Sequence, residues 1–577
     1  MHHPPAPPRR PPRWPTTLVP QSPHPPRSAI SPHTALWITG VALLATTASA
    51  LHDDDPKALD RTAPYQGPGW RPGALGTSSL GPPQFGGSFD SQGVQCLAWV
   101  SLGDLGVSGG GTDCWGYVSP SGREYAILGT EESTEFLEVT VPTNPVSVGS
   151  IPGPVGIWRD VKVYGEYCYS VCETNGLGIQ VIDLTQIDAG IVQEVKWVEG
   201  TDTGASHNVV INEESGYLYR TGGGGHGLRI YDLANPADPL WVATWDERYV
   251  HDAQVVTWAD GREIAFCAGG FNGGWSGTGL SILDVSDKQN IKFITELFHP
   301  NPGYDHQGWL SEDRQYFYMG DELDEDGVIF TTTHVFDVSD VDQASYLTEF
   351  TNQSHAVGHN MYTLDGKLYQ ANYLSGLRVF DLDQSATAPP EVAYFDPHPG
   401  ADTADFGGSW GNFPYLPSGV VLLSDRQLGL FILWVGDDIV GTSYCAPSEA
   451  NSSGTGARIV AQGSDVAVQN DLTLVAYNLP VSKSGYFLVS ATQAFIPLPP
   501  GSQGTLCLGG QIGRYAKQVQ SSGPGGSFSL AIDLGALPVK PPHAVQPGET
   551  WNFQAWFRDT HPGQTSNFTD GVSILFQ

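Results

Sequence analysis

The sequence predicts an all-β protein, a seven-bladed β-propeller followed by a β-sandwich-like C-terminal domain. Three observations carry this reading. A short apolar phrase, mostly closing on Asp, recurs seven times between residues 135 and 433. A second short phrase recurs upstream of each copy. Seventy glycines and forty-four prolines with only 15% charged residues fit turn-rich β structure better than long helices. At 577 residues the chain also exceeds what one ordinary core holds, so more than one domain is expected.

Residues 1–34 are rich in Pro and Arg and carry no folding pattern. An apolar run at 35–45 follows and ends in Ala48-Ser49-Ala50, an A-x-A pattern. A basic segment, a short apolar core and small residues at the cut read as a secretory signal peptide over 1–50, with an unusually long basic region. The run is too short for a comfortable membrane span, and no second one follows. Residues 51–93 read as a linker.

The repeats occupy 94–435. The apolar phrase is EFLEV at 135–139, GIQVIDL at 178–184, GLRIYDL at 227–233 and GLSILDV at 279–285. It continues as HVFDV at 334–338, GLRVFDL at 376–382 and GLFIL at 429–433. The upstream phrase starts at Asp113, Arg159, His207, His251, His306, His359 and Ser409. Its starts lie about 44 to 55 residues apart, the period of four-stranded propeller blades. One unit shows the four strands as 209–212, 217–221, 228–233 and 240–245, separated by Gly, Pro, Asn and Asp turns. The last unit lacks a fourth strand. The run at 94–100 is expected to supply it and close the ring, which would remove the open edge.

These motifs resemble the choice-of-anchor B family, whose members carry LVIVD-type repeats. The matching stretches are DCWGY at 113–117, GREYA at 122–126, WRDVKVY at 158–164 and SHNVVIN at 206–212. HDAQ at 251–254, DHQGWL at 305–310, GDELDE at 320–325 and QANYLSGLRV at 370–379 continue the match. The resemblance implies a secreted or surface-displayed bacterial propeller whose members differ in their C-terminal sorting device. It implies no settled activity. This chain departs from the usual short anchors, with no sortase-like motif and no terminal apolar helix.

Residues 443–577 read instead as an independent β domain, through alternating runs at 471–477, 485–490 and 551–557. The domain resembles a C-terminal module found on secreted bacterial proteins, through LCLGG at 506–510 and TSNFTDGV at 565–572. Secretion permits disulfides. The chain has seven cysteines, so at least one is left over. Cys445 with Cys507, and Cys96 with Cys114, are the expected pairs; Cys168 and Cys172 share one strand face, a poor geometry for a bridge.

Twenty-seven basic residues against sixty-one acidic ones, a formal net charge of −34, argue against nucleic acid and anionic membrane surfaces as partners. The expected partner is an extracellular ligand or protein, and the expected place is outside the cell or on its surface. The upstream phrase marks the start of each innermost strand, and those starts ring one mouth of the channel. His207, His251, His306 and His359 fill that place in four successive blades. They are candidate ligands for a transition metal, since imidazole suits Zn, Cu, Fe and Ni. The competing reading is that these histidines are the repeat's own packing solution. Asp160, Asn208, Asp252, Gln307 and Asn360 are candidate ligand-binding companions. Arg159 is a candidate clamp for a carboxylate or phosphate, and Trp115 and Trp410 are candidate walls for a sugar or aromatic ring. The acidic loop with Asp321, Asp324 and Asp326 is a weaker candidate for Ca²⁺, without the ligand order of an EF-hand. No Ser-His-Asp order, P-loop or dinucleotide fingerprint is present. The first functional expectation is a binding scaffold that displays its channel mouth. The alternative is a metal-dependent oxidoreductase or hydrolase working at the histidine ring.

Overall fold

The structure is a computed structural model. It describes residues 63–72, 89–173, 177–199, 204–223, 227–270, 277–323 and 329–577. The expected signal peptide over 1–50, and most of the expected linker, lie outside the described residues. All described residues belong to one unit, residues 50–577. No helix among them is long and apolar enough to cross a membrane.

Between Asp90 and Val435 the strands form seven antiparallel sheets. The third is representative: Asn208–Asn212, Tyr217–Thr221, Leu228–Asp232 and Leu240–Trp245, paired in that order. These strands lie within a residue of their expected places. The first strand of each sheet lies beside the first strand of the next, and that of the seventh returns to that of the first. The arrangement is therefore a closed, propeller-like ring.

The core explains why the apolar phrase repeats. Each copy forms the third strand of its sheet, which is buried on both faces and so reads as a nearly continuous apolar run. Tyr125, Ile127 and Phe136 of the first sheet pack on Val161, Cys168 and Ile182 of the second. Tyr169, Val171 and Val181 pack in turn on Val209, Leu218 and Tyr231 of the third. The same layering continues around the ring. The closing Asp has a separate cause. The Asp183, Asp232, Asp284 and Asp337 carboxylates accept the backbone N–H two residues on, at 2.7–3.1 Å, and start the turn that follows. The opening Gly is required where it has positive φ. A side chain at Gly178 or Gly376 would meet the carbonyl of Val198 or Phe395 on the neighbouring strand.

The ring closes with Val94–Val100, which pairs antiparallel with Gly429–Val435 as the seventh sheet's fourth strand. A feature not expected from sequence is Asp90–Gln92, a fifth strand on the sixth sheet. Past Val435, twelve short and long strands make three further sheets, of four, six and two strands. The first two share one core around Leu474, Phe487, Phe528, Phe553, Phe557 and Ile574. Cys445 and Cys507 are disulfide-bonded. Cys96 and Cys114 are not, which corrects that expectation. Cys96 lies on the outermost strand of the seventh sheet and Cys114 on the innermost strand of the first, so the width of a sheet separates them. Cys168 and Cys172 are likewise unbridged.

Candidate functional site

The four histidines stand at or just before the start of the innermost strands of sheets three to six, and the ring brings them into a row. Imidazole centroids are 4.1 Å apart from His207 to His251, 4.2 Å from His251 to His306 and 4.1 Å from His306 to His359. All four are buried. Their Nδ1 atoms are anchored where an acceptor is seen. His251 Nδ1 meets the His306 carbonyl at 2.8 Å, His359 Nδ1 meets the Trp410 carbonyl, and His207 Nδ1 meets Glu173 Oε2 at 2.6 Å. A carbonyl only accepts, so His251 and His359 carry their proton on Nδ1 and present Nε2 as a lone pair when neutral. Histidine metal ligands are commonly oriented in this way.

Glu322 completes the group. Its carboxylate lies 3.7 Å from His306 Nε2 on one oxygen and 3.7 Å from His359 Nε2 on the other. The three ligand atoms lie within 4.8 Å of one another. Tyr373 donates its hydroxyl to Glu322 at 2.9 Å and sets its ring 4.9 Å from His359, with Trp410 at 4.7 Å. Sequence reasoning missed Glu322, Glu173 and Tyr373. Each follows the end of a second strand, and that end pairs with the start of the first. Asp305 faces Asp321, and Arg159 faces Cys172. A residue one step beyond a second strand is therefore level with the histidines, and this hairpin arithmetic is the signal that finds it.

One layer further along, Asp160, Asn208, Asp252, Gln307 and Asn360 form a polar belt with Asp113. Part of it stitches the ring. Neighbouring innermost strands share no backbone ladder, so side chains satisfy their polar groups. Asp160 accepts from Val209 N at 2.8 Å, Asn208 donates to the His251 carbonyl at 3.1 Å, and Gln307 exchanges both bonds with Met361 at 2.9 and 3.1 Å. Asn412 donates to the Asn360 carbonyl at 3.1 Å. Arg159 is also spent internally, on Thr130 O at 2.8 Å, Ser170 Oγ at 3.3 Å and Pro154 O. The expected anion clamp is thus a buried brace, with each of its three nitrogens engaged inside the protein.

The centre of the belt is a charge cluster that sequence reading did not assemble. Lys162 Nζ lies 2.6 Å from Asp160, 3.3 Å from Asp113 and 4.5 Å over the Trp115 ring. Burial pushes the Asp113 carboxyl up to about 7 against the pull of Lys162. Burial, with the neighbouring Asp160 charge, holds Asp252 well above the usual carboxylate range. Burial opposes the Lys162 ammonium, yet Asp160 and Asp113 raise its pKa above the ordinary lysine value. Trp115 and Trp410, expected together, are separated: Trp410 is at the histidine end, and Trp115 lines a cavity below the belt.

The acidic loop is not an open cation cradle at the one position described. Asp321 is buried and accepts from Gly303 N at 2.5 Å, Leu323 N at 3.1 Å and Tyr304 N. Asp324 and Asp326 lie outside the described residues. Asp321 belongs instead to a second buried group with His299 and His334. There His299 Nε2 meets Asp305 at 2.6 Å, and burial lowers His334 to about 3. The His299 and His334 rings are stacked at 3.5 Å, so their in-plane lone pairs run side by side rather than converging on one ion.

No protein-family model matches the chain, and no curated protein is similar to it in sequence. The resemblance to the choice-of-anchor B family therefore stands on the motifs quoted for it. Among solved structures, the chain is similar to U3-55K at 12% identity and TM-score 0.39, over 56% of this chain and 95% of that one. It is similar to the periplasmic gluconolactonase of Pseudomonas aeruginosa at 12% identity and TM-score 0.39, over 52% and 86%. A gluconolactonase of Xanthomonas campestris follows at 12% and 0.32, over 48% and 86%. Likeness at this level transfers no activity.

Proposed function

We propose that the chain is a secreted or surface-associated seven-bladed β-propeller of the choice-of-anchor B kind, with a β-sandwich-like C-terminal domain, acting as a ligand-binding scaffold. Its histidine-lined channel mouth holds a divalent transition metal between His306, Glu322 and His359, with His207 and His251 alongside. The apolar run before Ala50 and the acidic composition support export. The observation that carries the metal is the pair of Nε2 atoms set on opposite oxygens of one buried carboxylate, with His359 oriented through its other nitrogen. Ligand bonds of about 2.0–2.1 Å span donor atoms up to about 4.2 Å apart, so the 3.7 Å separations suit one ion. Two imidazoles and a carboxylate favour Zn, Fe, Ni or Cu over Ca²⁺.

The test is elemental analysis of the purified mature protein beside Glu322→Gln and a His306→Ala/His359→Ala double variant, with circular dichroism as the folding control. Close to one equivalent of transition metal in the native protein, lost from folded variants, supports the centre. No retained metal after incubation with Zn²⁺, Fe²⁺, Ni²⁺ and Cu²⁺ overturns it and leaves a metal-free scaffold. A held metal is also the precondition for the enzyme alternative.

A further inference from the structure

Below the polar belt, the later residues of the innermost strands enclose a cavity of about 610 Å³. That volume is within the roughly 300–1,000 Å³ of small-molecule sites. The exposed side chains of Glu213, Glu214 and Val118 stand at its rim, and half-buried Trp115, Lys162 and Asp252 lie deeper, so it opens to solvent at one end. Its wall has two unlike halves. Sheets five, six, seven and one contribute aromatic rings: Trp309 and Tyr362 at 4.8 Å, Trp115 and Phe413 at 4.7 Å, and Tyr415 6.1 Å from Tyr362. Sheets two and four contribute Lys162, Asp252 and Gln254.

We propose that this cavity is a second binding site, distinct from the histidine end, for a neutral carbohydrate of one or two sugar rings. A sugar ring is itself two-sided, with apolar C–H faces that pack on aromatic rings and hydroxyl edges that need donors and acceptors together. A purely aromatic ligand would leave the polar half unsatisfied, at the cost of buried unpaired groups. An ionic ligand needs a surplus of opposite charge in the cavity. Here the Lys162 ammonium is already matched by Asp160, and burial holds Asp252 on the wall well above the usual carboxylate range, toward its neutral, hydrogen-donating form. Gln254 accepts from Leu310 N at 2.8 Å through its oxygen, which fixes the amide and leaves its NH₂ to donate. The inference does not depend on a metal at the other end.

The experiment is saturation-transfer NMR and titration calorimetry of the full mature chain. The probes are cellobiose, maltose, lactose and N,N′-diacetylchitobiose, with benzylamine and benzoate as charged aromatic controls. The expected result is saturable binding of at least one disaccharide, with transfer to ring C–H protons. Trp309→Ala should weaken it about ten-fold or more, and Trp309→Phe by less. Glu322→Gln, which removes the candidate metal ligand, should leave it unchanged, so the two sites fail separately. No binding of any disaccharide at millimolar concentration overturns the proposal. So does preference for benzylamine or benzoate, or sugar binding that Trp309→Ala leaves intact in a protein with native circular dichroism.

Discussion

Arg458 Nη2 lies 2.6 Å from Glu124 Oε1, and both side chains are buried where the C-terminal sheets meet the first sheet of the ring. Asp570 adds a second carboxylate 3.6 Å from Nη1. Glu124 also accepts from Ser418 N at 2.9 Å, and Tyr477 donates to the Ser418 carbonyl at 2.8 Å. Two backbone-mimicking bonds between Gln95 and Ile439, at 2.9 and 3.0 Å, tie the ring's closing strand to the same junction. The C-terminal sheets are thus braced against the ring through charge as well as contact.

Replacing Arg458 by Met keeps much of the volume but leaves Glu124 buried without its cation. Removing one member of a buried pair typically costs about 3–5 kcal/mol, whereas removing both is far milder. Denaturant unfolding of Arg458→Met should show a loss in that range, and Arg458→Met/Glu124→Gln should recover a good part of it. Equal stability of the single variant and the native protein would mean that the junction contributes nothing to folding.

Much of the ring was legible because its repeat has a local physical cause. The third strand is apolar throughout since both faces are covered, and its Asp recurs since the next turn needs an acceptor. The closing strand at Val94–Val100 was legible by elimination, since the seventh unit lacked a partner for Gly429–Val435. What the repeat does not carry was not legible. Lys162, Tyr362 and Trp309 occupy the same inward position as Val210, so no period flags them, and they meet only once the ring closes. Glu322 stands in a sequence neighbourhood that reads as a solvated acidic loop, although it faces the axis. Arg159 and Gln307 were legible as polar residues at the mouth. Their neighbours' unladdered backbone groups, which claim them, are visible only in three dimensions.

Asp113 makes a pH-dependent prediction. Its folded carboxyl is pushed up to about 7, while in the unfolded chain it titrates near the ordinary value of about 3.9. Between those values the folded state holds the extra proton, so this group's contribution to stability falls as pH rises through the window and stays low above it. Asp113→Asn removes the ionisation and keeps the shape, and Asp160 at 2.6 Å still holds Lys162. The variant should gain stability over the native protein at pH 8, on the order of a few kcal/mol at most, and lose that advantage near pH 4. Chemical unfolding at the two pH values checks it. A variant less stable than the native protein at pH 8 would show that the Asp113 charge is needed by Lys162.

Trp99 anchors the strand that closes the ring. It is buried, its Nε1 donates to the Leu428 carbonyl at 2.7 Å, and its ring stacks at 5.9 Å on Phe431 of the neighbouring strand. Its backbone exchanges two 2.8 Å bonds with Trp70, which covers the strand's outer side. Trp99→Ala would leave a large cavity and an unpaired carbonyl, and changes of this kind cost about 3–5 kcal/mol. The loss acts at the one place where the ring is shut by sequence-distant strands. Loosening Val94–Val100 bares the backbone edge of Gly429–Val435, and an open edge recruits other chains. Trp99→Ala should therefore lower the unfolding midpoint and also make aggregation, read by light scattering, set in before the main unfolding transition. A destabilised variant of the same magnitude elsewhere, such as Phe553→Ala in the C-terminal core, should aggregate only as it unfolds. If both variants aggregate at the same point on their unfolding curves, closure by the N-terminal strand is not what keeps the ring's edge from recruiting other chains.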